Sequence, residues 1–224
     1  MEKFAILIPV YNEEYNVLKL SEELDMLDVR YLFVDDGSID DTMTHLFLKD
    51  LPYIGYFPNR GKGFAIKLGA KYLIKEGFEW ILIMDGDRQC AVNDIEKFDS
   101  AMLFHENEYK IFIGDRMKNP EPMPFFRRIV NKIMSKLISL IIKEKISDTQ
   151  CGFRLIHKDV FEKLGLKGDR FDFESEMLIK AKRAGYKICS VPIKCNYFRH
   201  AKSKIKIVRD SIRFIKMLLK INKN

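Results

Sequence analysis

Two aspartates one residue apart, Asp85 and Asp87, close the segment Trp-Ile-Leu-Ile-Met-Asp-Gly-Asp-Arg-Gln at positions 80–89. The apolar run before them favours β structure and is too short for a typical helix. It therefore reads as a buried strand that brings both carboxylates to the edge of a sheet. In open α/β sheets ligands bind beyond the carboxyl ends of the strands, so the position suits chemistry. Two hard oxygen ligands at this spacing suit Mg²⁺ or Mn²⁺, which usually keeps waters and takes its remaining ligands from substrate phosphates. Asp and Gly are also ordinary turn residues, so the pair alone reads equally well as an acidic turn.

The flanking sequence predicts the elements that hold this edge. Residues 4–10 read as a first buried strand, followed by Tyr11-Asn12-Glu13-Glu14 and a helix to about Asp25. Residues 31–35 read as a second strand ending in Asp35-Asp36-Gly37-Ser38, with a capped helix starting near Asp40 and Asp41. Residues 53–57 form a third, after which Asn59-Arg60-Gly61-Lys62-Gly63 leads into a helix to about Glu76. Residues 93–106 look helical and 110–114 look like another strand. This alternation implies βαβ units and a mostly parallel sheet with right-handed crossovers. One rim would then collect Glu13, Asp35, Asp36, Lys62, Asp85, Asp87 and Asp115. The glycines beside Lys62 would let backbone approach a phosphate or sugar, and they fit a tight turn before a helix equally well.

The second half differs. Residues 125–143 carry Arg127, Arg128, Lys132, Lys136 and Lys143 with no acidic residue, interleaved with apolar side chains. This predicts a basic amphipathic helix, which could also be a core helix with a solvated basic face. Ser147-Asp148-Thr149-Gln150-Cys151-Gly152-Phe153-Arg154 reads as a loop. Residues 171–177 open a helix to about Ala184, with Glu174 and Glu176 in its first turn, where the helix dipole favours carboxylates. Residues 187–192 are a last strand. His200, beside Arg199, has no second ligand at metal spacing and reads as a solvated residue.

At 224 residues the chain has the size of one domain, at most one and a half. Of its 39 basic and 32 acidic residues, eight and one lie in 202–224, which leaves 31 of each sign before them. The excess is a basic amphipathic tail helix, expected to lie on a membrane or on the domain itself. Cys90, Cys151, Cys189 and Cys195 lack metal or disulfide spacing, and no signal peptide is evident, so reduced thiols in a cytosolic compartment are expected. No apolar stretch approaches the roughly 20 residues of a membrane span. The pI near 9.1 raises nucleic-acid binding, but no aromatic-interleaved basic surface accompanies it, and no nucleic-acid partner is expected.

Together, Ile8-Pro9-Val10-Tyr11-Asn12-Glu13, Asp35-Asp36-Gly37-Ser38, Asn59-Arg60-Gly61-Lys62-Gly63, Asp85-Gly86-Asp87-Arg88-Gln89, Gly114-Asp115-Arg116, Asp148-Thr149-Gln150-Cys151-Gly152-Phe153-Arg154 and the 171–176 segment resemble the family 2 glycosyltransferases of GT-A fold. Within these they resemble the dolichyl- and polyprenyl-phosphate hexosyltransferases. The resemblance implies a Rossmann-like α/β domain over 1–201, with a nucleotide-sugar half to about 117 and an acceptor half from about 118, and a tail at 202–224. It implies that Pro9, Tyr11, Glu13, Asp36 and Lys62 serve the nucleotide sugar, that Asp85 and Asp87 hold Mg²⁺ or Mn²⁺ with help from Gln89, and that Asp148 and Arg154 belong to the acceptor loop. Arg116, Arg127, Arg128, Arg199, Ser203 and Lys204 fall where such enzymes surround the acceptor phosphate. Asp87, Glu174, Asp148 and Arg154 form the expected catalytic set. The expected partners are a nucleotide-sugar donor, a polyprenyl or dolichyl phosphate, the anionic cytoplasmic face of a membrane, and a membrane protein.

A lipid monophosphate is already ionised near neutral pH, its second pKa being about 6, so no strong general base is required. A sugar hydroxyl must lose its proton during attack, and Glu174, Glu176 or Asp148 would be the base. A degenerate glycosyltransferase fold acting as a membrane scaffold is the non-enzymatic alternative.

Overall fold

The computed structural model describes residues 3–118, 120, 123–170 and 172–196. The strands are β1 (Phe4–Val10), β2 (Tyr31–Asp35), β3 (Tyr53–Gly55), β4 (Trp80–Ile83), β5 (Tyr109–Asp115), β6 (Arg154–His157) and β7 (Lys187–Pro192). They form one sheet in the order β3-β2-β1-β4-β6-β5-β7. The helices are α1 (Val17–Asp25), α2 (Thr42–Leu48), α3 (Lys62–Lys75), α4 (Ile95–His105), α5 (Phe125–Ile142), α6 (Lys158–Lys163) and α7 (Asp172–Arg183).

Every residue of β1, β2 and β4 is buried. That explains why these strands read as continuous apolar runs rather than alternating ones, as strands covered on both faces do. Helix α3 packs on β1 and β2, and α4 on β5 and β7. The strands β1, β2, β3 and β4 pair in parallel. The reversed strand β6 sits between β4 and β5, so β5 and β7 run with the rest. Strands from both halves of the sequence thus interleave in one sheet. No helix among the described residues is long and apolar enough to cross a membrane.

The structure departs from the sequence expectations at four places. β3 stops at Gly55 instead of continuing to 57, because the following residues wrap the Asp36 carboxylate and Pro58 has no N–H for a ladder. Asp41 makes no cap hydrogen bond; Asp40 instead accepts from Thr42 N and Oγ1 at 3.1 and 2.6 Å. The helix expected from 93 begins as a 3₁₀ turn, Val92–Asp94. Strand β6 and helix α6 follow directly on the loop and were not legible. The tail helix at 202–224 lies outside the described residues.

Candidate active site

Because β1, β2, β4 and β5 share a direction, their carboxyl ends meet at one rim. The order of connections reverses between β1 and β4, which opens the crevice where α/β sheets bind ligands. Pro9 is buried within β1 opposite Val34, and Tyr11 and Glu13 follow half-buried. The 11–14 turn is braced on the turn after β2: Asn12 N donates to Ser38 Oγ (2.9 Å), Ile39 N to Asn12 Oδ1 (2.9 Å) and Glu13 N to Thr42 Oγ1 (2.8 Å). Asp36 is held by its own surroundings. It accepts from Tyr56 Oη (2.8 Å), Asn59 Nδ2 (2.8 Å) and the backbone N–H groups of Arg60 (2.7 Å) and Gly61 (2.8 Å). Its carboxylate fixes the chain that leads into Lys62.

Lys62 is the hub of the rim. Its Nζ lies 2.6 Å from Asp85 Oδ1 and 2.6 Å from Glu174 Oε1, joining the edge of β4 to the first turn of α7. Burial works against the Lys62 ammonium, yet Asp85 and Glu174 outweigh it and raise its pKa. The glycines beside it, read either as a phosphate approach or as a tight turn, also serve close packing. A Cβ on Gly63 would stand 2.7 Å from Phe173 Cβ and one on Gly61 2.4 Å from Asp169 O, so both let the start of α3 press against the entry to α7. A Cβ on Gly152 would meet Asp85 Oδ2 at 2.4 Å and Lys62 Nζ at 2.8 Å, so the 148–154 loop lies directly on this pair.

Asp87 carries charge that its neighbours do not balance. Burial, then the nearby Asp85 and, more weakly, Glu13 push its carboxyl up to about 6, against the pull of the Gln89 N–H at 3.0 Å and of Lys62. A crowded, half-buried set of carboxylates of this kind fits a divalent cation. Among the described residues no three His, Cys, Asp or Glu side chains form a ready cage. Two carboxylates plus substrate phosphates is the usual arrangement for Mg²⁺.

The three carboxylates considered as a base occupy different surroundings. Asp148 is buried and accepts from Arg116 Nε (2.7 Å), Arg116 Nη2 (2.9 Å) and Asn131 Nδ2 (2.8 Å). Burial raises its pKa, but Arg116 and Asn131 prevail and hold it below the usual carboxylate value. Glu176 accepts from the N–H groups of Lys167 (3.0 Å) and Gly168 (2.6 Å) and pairs with Lys180 at 2.7 Å. Glu174 is the one of the three that reaches the rim, through Lys62. Arg154, expected to be catalytic, is 1% exposed and gives its guanidinium to three carbonyls: Cys151 O (2.7 Å), Thr149 O (2.8 Å) and Glu174 O (3.0 Å). That geometry makes it a clamp on the 148–154 loop and on Glu174.

Arg116, through Asp148, borders the 148–154 loop, and Arg127 and Arg128 occupy the first turn of α5. The Arg128 Nε is buried with no hydrogen-bond partner among the described residues. Helix α5 is inverted relative to an ordinary surface helix. It buries Asn131, Ser135, Ile138 and Ile142, and it exposes Phe125 (77%), Phe126, Ile133 (55%), Leu137 and Leu140 (66%). Arg199, Ser203 and Lys204 lie outside the described residues. Asn131 and Ser135 escaped the sequence reading; the signal was polar residues four apart within an apolar helix. Cys90, Cys151 and Cys195 are buried, Cys189 is half-buried, and none is in a disulfide.

A doubly wound sheet with paired carboxylates at its rim is the arrangement of GT-A-type glycosyltransferases. A model of the glycosyl transferase family 2 domain matches residues 5–165, so the chain belongs to that family. It is 28% identical over 221 residues to a UDP-N-acetylglucosamine–dolichyl-phosphate N-acetylglucosaminyltransferase of Methanococcus voltae, covering 88% of this chain and 86% of that one. It is 27% identical over 230 residues to a dolichyl-phosphate beta-glucosyltransferase of Trichomonas vaginalis, covering 90% and 68%. Glucosyl-3-phosphoglycerate synthase of Mycobacterium tuberculosis, crystallised with Mn²⁺, UDP and glucosyl-3-phosphoglycerate, matches with a TM-score of 0.75 at 14% identity, over 97% of this chain and 79% of that one, a likeness of fold.

Proposed function

We propose that this glycosyltransferase moves a hexose from a UDP- or GDP-sugar to a polyprenyl or dolichyl phosphate, with inversion, at the cytoplasmic face of a membrane. The observation that carries the reading is the meeting of the Asp85–Asp87 edge, Lys62 and Glu174 under an acceptor loop that is itself tied to a cationic, apolar-faced helix. The names of the two dolichyl-phosphate relatives support the acceptor, and the fold neighbour's Mn²⁺ and UDP support the donor side.

Asp85 and Asp87, helped by Gln89, would hold Mg²⁺ or Mn²⁺. When bound, the cation would offset the charge of the departing nucleoside diphosphate. Pro9, Tyr11, Glu13 and Asp36 border the nucleotide, and Lys62 can leave Asp85 to meet a phosphate. The acceptor phosphate arrives ionised, so the work of the chain is to orient it for one in-line displacement at the anomeric carbon. Arg128, whose Nε has no partner among the described residues, and Arg127 suit that oxyanion, since the guanidinium fork matches phosphate. The exposed apolar stripe of α5, flanked by Lys132, Lys136 and Lys143, suits an anionic bilayer, where each basic residue near the surface contributes about 1 kcal/mol.

The test is transfer of labelled sugar from a panel of UDP- and GDP-sugars to polyprenyl phosphate in detergent, beside hydroxyl acceptors, with Asp87→Ala as control. Lipid-linked sugar lost in the control is the expected result. Transfer to hydroxyl acceptors alone would overturn the acceptor assignment.

A further inference from the structure

We infer that the buried face of α5 couples its outward face to the acceptor loop, so that seating the helix on an anionic bilayer speeds transfer itself. The inference rests on the membrane reading above. Polar residues at a spacing of four form a ladder along the inner face. Asn131 Nδ2 donates to Asp148 Oδ1 (2.8 Å), Ser135 Oγ donates to Asn131 Oδ1 (2.9 Å) and accepts from Thr149 N (2.9 Å), and Ser139 Oγ accepts from Ile146 N (3.0 Å) and donates to Ile146 O (3.1 Å). The loop passes the constraint on, because Arg154 ties Thr149 and Cys151 to Glu174, and Gly152 lies on Asp85 and Lys62.

Only four of the 18 residues of α5 are buried, and two of those are polar. A helix with so few buried apolar contacts lies at the low end of local stability, and the polar ladder is what joins it to the buried 146–154 segment. Burying Phe125, Phe126, Ile133, Leu137 and Leu140 in a bilayer favours the seated arrangement over others, and a surface that distinguishes two arrangements shifts their populations. Asn131 and Ser135 are therefore positioning residues.

The experiment uses the whole chain, vesicles of anionic phospholipid without acceptor, and a two-isoprene phosphate that stays in water, so that concentrating the substrate cannot explain a change. Vesicles are expected to raise turnover about fivefold, the lower end of ordinary coupling, and to slow amide exchange across 146–154. Ser135→Ala should sediment with vesicles like the parent yet lose both responses, and Ser135→Thr, which keeps the hydroxyl, should regain them. Donor KM should stay constant throughout. Equal stimulation of parent and Ser135→Ala, or a vesicle-bound parent showing neither response, overturns the coupling. Failure of the parent to sediment defeats the membrane reading and the coupling together. If no acceptor is glycosylated, amide exchange decides the coupling independently of the reaction.

Discussion

Two groups of buried charge stand a few residues apart in this molecule and behave in opposite ways. Around Asp148 and Arg154 every charge meets its complement: Arg116 and Asn131 for the carboxylate, three carbonyls for the guanidinium. At the rim, Lys62 bridges Asp85 and Glu174, and burial together with the nearby Asp85 and Glu13 pushes the Asp87 carboxyl up. The first group has little left to offer a ligand and serves to hold the loop. Among the described residues the second holds more acidic than basic groups, and in the proposed function a divalent cation would offset that excess. The first group builds structure, and the second is the one proposed to receive substrate.

The contrast can be broken most severely at Asp87. Asp87→Asn should lower transfer by about a thousandfold, while relief of the crowding leaves the metal-free protein equally stable or more stable by about 1 kcal/mol; steady-state rates and thermal melting read the two effects. Asp148→Ala should do the reverse. Taking the buried acceptor away from Arg116 and Asn131 should cost about 3 kcal/mol of stability, measured by urea unfolding. The acid limb sharpens this. The folded pKa of Asp148 lies below its ordinary value, so its stabilisation is complete above about pH 4 and disappears as pH falls through the lower folded value. Asp148→Asn should flatten that limb in melts between neutral and acid pH.

Glu174→Gln removes one partner of Lys62 at a carboxylate that a lipid phosphate does not require as base. About a tenfold fall in kcat is expected, and a near-complete loss would point to a hydroxyl acceptor. The smallest effect is expected on α5. Lys132→Ala and Lys136→Ala should each weaken sedimentation with anionic vesicles by about 1 kcal/mol, with the difference vanishing in high salt.

The sequence made the carriers of chemistry legible where they sat at the ends of apolar runs: Asp35 closing β2, Asp85 and Asp87 after β4, Asp115 closing β5. Strand β6 was hidden because its four residues begin with Arg154, whose charge masks a strand, and because its partners come from distant, antiparallel pairing. The amphipathic period of α5 was evident, but not which face turns inward. That choice is made by Asp148 and Thr149, which take the polar side. The bond from Lys62 to Glu174 spans 112 positions, and no local pattern encodes such a contact. Nor does type alone distinguish Arg154 as a clamp from an arginine that binds substrate.

The central claim, that the unbalanced carboxylates at the rim are the donor site, is tested most directly by calorimetric titration of UDP and GDP into the free protein, with and without Mn²⁺, beside Asp87→Asn. The account predicts that one nucleotide binds only with the ion present and that Asp87→Asn abolishes this binding at an undiminished melting temperature. Binding that is as tight without the ion, or unchanged in Asp87→Asn, would contradict it.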